Sequence, residues 1–266
     1  MKKEIDILRI QDGDRSTFRD RIVIEFPLTI ILNDEQLVTL LCSPTDLDSL
    51  ALGFLSSEGF IKQKEDVQRL HLDETRGVIR IETKDGLDPA RKLFMKRVLT
   101  TGCGSGLAFY SFADTDLKKH RIPSGMTISA TEIMKLNTEF QGHSEVYRET
   151  HGVHSAALCD RKRILIFAED IGRHNAVDKV FGRCLQEAVP SEDKVMIISG
   201  RISSEILFKV AKRNIPVLVS KSVPTDMGVS LARDFNMTLV GFARGKRMHV
   251  YAGEERIINH ESSQPK

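Results

Sequence analysis

Short apolar runs rich in β-branched residues recur through the second half of the chain: Ile164 to Ala168, Val195 to Ser199, Pro216 to Ser220 and Thr238 to Ala243. Runs of this kind have the composition of strands buried on both faces. Between them, apolar residues return every three or four positions, as on the buried stripe of a helix. They are Ala176, Val177, Val180, Phe181, Cys184, Leu185 and Ala188, then Ile206, Leu207 and Val210, then Val229, Ala232 and Phe235. Strand-helix alternation predicts a parallel or mostly parallel sheet with right-handed crossovers. Met248 to Ala252 and Arg256 to Ile258 are read as terminal strands. A further helix begins near Ser129, where Glu132 completes a capping box and Ile133, Leu136 and Phe140 supply the apolar face.

Before about residue 120 the rhythm differs. Arg21 to Phe26 and Thr29 to Leu32 read as strands, and Val78 to Glu82 alternates as a half-buried strand does. One helix stands out, with Leu47, Leu50, Ala51 and Phe54 at helical spacing, Thr45 as its cap and Asp48 at the capping-box position. The change of pattern puts a domain boundary at His120 to Gly125, giving an α+β domain over 1–122 and an α/β domain over 123–266.

Lys and Arg number 39 against 37 Asp and Glu, a net charge of +2, too balanced for the broad positive face that duplex nucleic acid usually requires. No apolar run approaches the roughly 20 residues that span a bilayer. The opening Met1-Lys2-Lys3-Glu4-Ile5-Asp6 has acids where a secretory signal needs an apolar stretch, so a cytoplasmic protein is expected. The cysteines are Cys42, Cys103, Cys159 and Cys184, with no Cys-x-x-Cys pair of the kind that holds zinc or forms a redox dithiol. Three of them lie within apolar patterns. Cys103 lies in Thr100-Thr101-Gly102-Cys103-Gly104-Ser105-Gly106, where glycines leave a sulfur approachable, and it is the best nucleophile candidate.

In open α/β sheets, ligands bind beyond the carboxyl ends of the strands. The loops there read Glu169 to Asn175, Ser199 to Ser204, Ser220 to Thr225 and Arg244 to Arg247, each with a cation and most with small polar groups at a helix start. Helix amino termini and neighbouring Arg or Lys favour phosphate. A pocket for an anionic ligand follows, with Arg173, His174, Arg201, Lys221, Arg244 and Lys246 as its principal groups. Neither a P-loop nor a Gly-x-Gly-x-x-Gly fingerprint is present. His151 and His154, around Gly152-Val153, are acid-base groups, ligands or hydrogen-bonded structural histidines.

Several of these stretches resemble the signatures of one family, the formate dehydrogenase accessory sulfurtransferases (FdhD/NarQ). They are Ala51 to Leu55 with Glu58-Gly59, Glu169 to Lys179, Ser199 to Glu205, Ser222 to Thr225 and Gly241 to Arg244. The resemblance implies a three-layer α/β sandwich similar to cytidine deaminase, with a mixed, mostly parallel sheet and a smaller amino-terminal α+β domain. It implies that Cys103 accepts sulfur from a cysteine desulfurase as a persulfide. That sulfur then passes to a molybdenum or tungsten bis-molybdopterin guanine dinucleotide cofactor, bound as substrate and destined for formate dehydrogenase apoenzyme. Phe242, Ala243, Arg244, Gly245, Lys246 and Arg247 would hold the guanine dinucleotide arms, together with Arg173, His174, Asn175, Ser199, Gly200, Arg201, Ser220, Lys221, Ser222, Thr225 and His154. A homodimer and no structural metal are also implied. His143-Ser144-Glu145 has the deaminase His-x-Glu spacing, but the Pro-Cys-x-x-Cys element that would complete a zinc site is absent.

Two departures stand out. The family's Cys-Gly-x-Cys-Gly loop is here Cys103-Gly104-Ser105-Gly106, without a second cysteine, so transfer rests on one thiol. The Thr-Gly-Gly-x-His element is here Thr150-His151-Gly152-Val153-His154. The competing reading is a chaperone that binds the cofactor without carrying sulfur; a nucleotide hydrolase or deaminase is disfavoured by the incomplete zinc set.

Overall fold

The computed structural model of the chain describes residues 1–84 and 121–258. An amino-terminal hairpin pairs β1 (Lys2–Gln11) with β2 (Asp14–Val23) around Asp12 and Gly13, both at positive φ as a two-residue hairpin turn requires. Arg21 to Phe26, expected as one strand, is divided: Val23 ends β2, and β3 (Phe26–Leu32) starts a second sheet. With β4 (Glu35–Cys42), β5 (Val67–Asp73) and β6 (Val78–Thr83) it forms four strands in the order β4-β3-β6-β5. Helix α1 (Leu47–Ser57) covers this sheet, and Leu50, Ala51, Phe54 and Leu55 join Leu28, Ile30, Leu40, Ile79 and Ile81 in one core. The expected capping box at Thr45 and Asp48 does not form. Asp46, in the left-handed region, precedes the helix without a side-chain cap, and the Asp48 carboxylate accepts a hydrogen bond from Gln186 Nε2 at 2.7 Å.

The second sheet has six strands in the order β13-β12-β11-β10-β8-β9. They are β8 (His154–Cys159), β9 (Ile164–Asp170), β10 (Val195–Ile198), β11 (Val217–Ser220), β12 (Thr238–Arg244) and β13 (Arg247–Ala252). Strands β9 to β12 all point the same way, as the alternation predicts, yet only β10-β11 and β11-β12 pair in parallel. The sheet is therefore mixed rather than mostly parallel in its ladders. The cause is β8, which had no strand signal of its own. It turns tightly into β9 around Asp160, whose carboxylate accepts the N–H groups of Lys162 and Arg163, and it lies antiparallel between β9 and β10.

Alternate residues along these strands enter two separate cores. Ala156, Leu158, Met196, Ile198, Leu218 and Leu239 pack under α4 (Arg173–Gln186), α5 (Ser204–Ala211) and α6 (Asp226–Asp234). Ala157, Cys159, Val195, Ile197, Val217 and Val219 face α2 (Ala130–His143), whose Ser129–Glu132 capping box forms as expected. The result is three layers. Short strands β7 (Ile128–Ser129) and β14 (Ile257–Ile258) pair in parallel beside this lobe, and α3 (Glu145–Thr150) leads into β8.

The lobes meet where α1 crosses α4 at backbone contact. A Cβ on Gly53 would lie 1.7 Å from the Asp178 carbonyl oxygen, and one on Gly182 would lie 1.8 Å from that of Ser49. Only glycine permits such an approach. Around the crossing, Ser57 Oγ and Lys209 Nζ both donate to the Asp178 carboxylate at 2.6 Å, and Ser49 Oγ donates to Gln186 Oε1 at 2.7 Å.

Candidate functional site

The carboxyl ends of β9 to β12 and the amino end of β8 share one edge of the six-stranded sheet. At one end of that edge Asp170 closes the outermost strand, β9. Its Oδ2 accepts the Ser43 N–H at 2.9 Å and lies 2.7 Å from Lys179 Nζ, and its Oδ1 accepts from the Gly172 N–H and from Asn175 Nδ2. Lys179 also donates to the carbonyls of Ser43 and Glu169, and both charged side chains are wholly buried. A buried charge is tolerated when it is paired and fully hydrogen-bonded, as here. Asn175, a predicted ligand contact, is thus committed to scaffolding, since its amide also donates to the Leu41 carbonyl at 2.9 Å.

Beside this hub opens a cavity of about 300 Å³ lined by Tyr147, His151, Val153, His154, Ile171, Ser199 and Lys221. Helix α3 contributes Tyr147, whose ring has Lys221 Nζ 4.2 Å from its centroid and His151 edge-on at 5.1 Å. His151 ends that helix at φ 52°. His154 Nδ1 lies 3.3 Å from Ser199 Oγ, which also accepts the Ser155 N–H at 2.9 Å. Gly200 lets Arg173 and His154 converge, for a Cβ there would stand 3.2 Å from Arg173 Cβ and 3.4 Å from His154 Nδ1. Burial lowers the pKa of His154, and the charges of Arg173, Lys221 and His174 lower it further, with Asp170 opposing them.

Helix α4 starts against the usual electrostatic preference. Gly172 provides no side-chain cap, and the first turn carries Arg173 and His174 with no acid. The other helix starts on this edge are closed internally, by Ser203 on α5 and Thr225 on α6. Thr225, expected to touch ligand, accepts the Gly228 N–H at 3.1 Å. Ser220 is also spent on structure: its buried hydroxyl donates to the Gly200 carbonyl at 2.7 Å and accepts the Ser222 N–H at 3.0 Å. His174 points away toward α5, with Nε2 2.9 Å from Glu205 Oε2, and that contact lowers the pKa of Glu205.

Farther along the edge, the β12-β13 hairpin presents Phe242 at φ 54°, stacked on His249 at 5.1 Å, with the guanidinium groups of Arg244 and Arg247 each 4.8 Å from its ring centroid. Arg244 Nε donates to the Lys221 carbonyl at 2.9 Å, and the Phe242 N–H to the Ser222 carbonyl at 2.8 Å, so hairpin and cavity are joined through one loop. Ala243 is buried and its carbonyl accepts from Asn137, whereas Arg244, Gly245, Lys246 and Arg247 are exposed, as is Arg201 after β10. Among the described residues, no carboxylate stands within ion-pair distance of Arg173, Arg201, Lys221, Arg244, Lys246 or Arg247.

The structure therefore brings His154, Ser199 and Lys221 together at the cavity, with Arg173 and Gly200 against His154 beside it, and joins the 242–247 hairpin to them through the Ser220 to Thr225 loop. Tyr147 was not anticipated: nothing in the stretch after His143 marks it, and only the return of α3 across the sheet edge brings it to Lys221. Ser144 caps α3 and His143 Nδ1 lies 3.2 Å from the Glu139 carbonyl, and among the described residues no group of three metal-ligating side chains occurs. Cys42, Cys159 and Cys184 are buried, and burial pushes their thiols up to about 12, about 12 and about 11. Cys103 lies outside the described residues.

Comparison with known proteins agrees with this architecture. A sulfur carrier protein FdhD from Bacillus pumilus is 40% identical over 257 residues, covering 97% of this chain and 98% of its own length. One from Staphylococcus aureus strain MRSA252 is 41% identical over 255 residues, or 96% of each chain. The crystal structure of a putative formate dehydrogenase accessory protein from Desulfotalea psychrophila superposes with a TM-score of 0.79 at 26% identity, covering 97% of this chain and 99% of that one. With the FdhD/NarQ family model matching residues 23–258, the chain belongs to the FdhD/NarQ family.

Proposed function

We propose that this chain is a sulfur carrier for formate dehydrogenase. It takes sulfur from a cysteine desulfurase as a persulfide on Cys103 and passes it to a molybdenum or tungsten bis-molybdopterin guanine dinucleotide cofactor held as substrate. In the loading step the Cys103 thiolate attacks the outer sulfur of the donor's persulfide. One S–S bond forms, the donor's S–S bond breaks, and the donor leaves as a thiolate with no net redox change. Release of the outer sulfur as sulfide regenerates the Cys103 thiolate and consumes two electrons, which two external thiols supply as they leave as a disulfide. The other cysteines are unsuited to this step: a buried thiol near pKa 12 is thiolate in only about one molecule in 100,000 at pH 7.

The observation that carries the cofactor half of this reading is the row of cations without a carboxylate partner among the described residues along one sheet edge, from Arg173 through Lys221 to Arg244 and Arg247. Such charges suit diphosphates, and the half-buried Phe242 ring, with two guanidinium groups and the His249 ring against it, suits an aromatic base. We read the three-layer lobe as deaminase-like, the working form as a homodimer, and the setting as the cytoplasm; no helix among the described residues is long and apolar enough to cross a membrane.

The test is intact-protein mass spectrometry after incubation with a cysteine desulfurase and cysteine. The chain is expected to gain about 32 Da, one sulfur atom, and Cys103→Ser to gain none while keeping guanosine diphosphate binding and losing formate dehydrogenase activation. Activation at the unaltered level by Cys103→Ser would instead establish a sulfur-independent chaperone.

A further inference from the structure

Lys221 in the cavity wall and Arg173 beside it have an obvious use, whereas the imidazole near both has two, because a neutral histidine can turn either a donor or an acceptor to a ligand. His154 opens β8, and Ser155 is fixed against Ser199 twice: the Ser199 N–H donates to the Ser155 carbonyl at 2.9 Å, and Ser199 Oγ accepts the Ser155 N–H at 2.9 Å. That hydroxyl has one proton of its own to place. The acceptor within reach is His154 Nδ1, at 3.3 Å, and no other among the described residues competes for it. A ring protonated at Nδ1 would leave the hydroxyl proton without a partner in a half-buried site, at the usual cost of an unmade hydrogen bond. Nε2 forms no bond with any described residue, and the ring lines the cavity.

We propose that Ser199 is a positioning residue that locks His154 as the Nε2–H tautomer, so that the cavity offers an uncharged N–H donor alongside Arg173 and Lys221 and takes a phosphate group. The proposal rests on reading this edge as the seat of the cofactor's phosphates, and it names the group that enters the cavity and the atom that meets it. A phosphate oxygen can accept from Nε2–H while its charge answers the two cations. The titratable and charged groups near the ring are Arg173, Lys221, His174 and Asp170; burial disfavours its protonation most, the first three groups add to that and Asp170 opposes them, so the donor stays neutral.

The test is the two-bond proton-nitrogen spectrum of the full chain labelled with 15N-histidine, at pH 7.5. The chain has 8 histidines, and the His154 pattern is the one lost in His154→Gln. The expected pattern is a protonated Nε2 and a bare Nδ1, with Nε2 moving on addition of inorganic phosphate. Ser199→Ala is expected to give a tautomer mixture and to weaken phosphate binding by about threefold to tenfold, the range for one ordinary hydrogen bond. Ser199→Thr, which keeps the hydroxyl, restores both. His154→Gln, whose side-chain amide can present an N–H donor from a similar position, retains more affinity than His154→Leu.

A protonated Nδ1 in the unaltered chain, a phosphate titration that leaves Nε2 unmoved, or an unchanged tautomer in folded Ser199→Ala overturns the proposal. If Ser199→Ala does not fold, the unaltered chain's spectrum and titration decide alone. Persulfide loading of Cys103 in the unaltered chain tests the carrier reading without touching this one, so failure of either is seen separately.

Discussion

Helix α4 carries two opposite treatments of charge within two turns. Asp178 and Lys179, on its inner turn, are buried and answered by Lys209, Ser57, Asp170 and backbone carbonyls. Arg173, at its start, has no carboxylate beside it among the described residues, and neither has Lys221 across the cavity. Where charge is closed on itself it fixes how the lobes and strands meet, and where it is left open it is available to a ligand. The same family signature, Glu169 to Lys179, therefore encodes both architecture and site, and sequence alone does not tell which residue serves which.

Breaking one partner of the closed set gives the largest effect. Lys179→Met strands the Asp170 carboxylate in the interior and is expected to cost about 3–5 kcal/mol in urea unfolding. The double change with Asp170→Leu should lose less than the single, because no lone charge remains. Equal or greater loss in the double variant would mean that the packing of these side chains, rather than their pairing, holds β9 to α4.

The open set should respond in the other currency. Lys221→Met is expected to leave unfolding within about 0.5 kcal/mol of the unaltered chain, as for surface changes. It should weaken guanosine diphosphate binding by about tenfold in calorimetric titration, the worth of one charged hydrogen bond. Full affinity in a folded Lys221→Met chain would place the phosphates elsewhere on the edge.

The smallest effect sharpens the contrast through pH. The unfolded chain protonates His154 near the ordinary value of about 6.5, while the native chain resists until lower pH. Its contribution to stability is present above about 6.5 and is lost as pH falls through the lowered native value. Thermal midpoints between pH 8 and 5 should accordingly fall less in His154→Gln than in the unaltered chain. Parallel curves would show that the ring is not held neutral by its surroundings.

Helices α2, α4, α5 and α6 and strands β9 to β12 were legible because their apolar residues recur at the helical period or run unbroken. Strand β8 was not, since Ser155, Ala156 and Ala157 are too small to announce a buried strand, and without it only the family resemblance placed His154 with the residues of this sheet edge. The amino-terminal hairpin escaped notice for a different reason. Its Asp12-Gly13 turn is a good signal, but its strands alternate charged and apolar residues while Leu8 and Ile10 remain exposed, so no buried face repeats. The cationic loops were readable from strand-helix order, yet Ser220, Thr225 and Asn175 look the same in sequence whether they cap, brace or bind. Lys179 had no warning at all, because a lysine in a helix gives no sign that it will be sealed against an aspartate.

The crossing of α1 and α4 at Gly53 and Gly182 has a practical corollary for anyone recombining relatives of this chain. Two backbones in touch leave no side chain to trim or refit, so the halves of that joint must be inherited together. Chimeras cut near residue 122 would split one parent's Gly53 from its own Gly182, and they should succeed only where both parents keep the same bare contact.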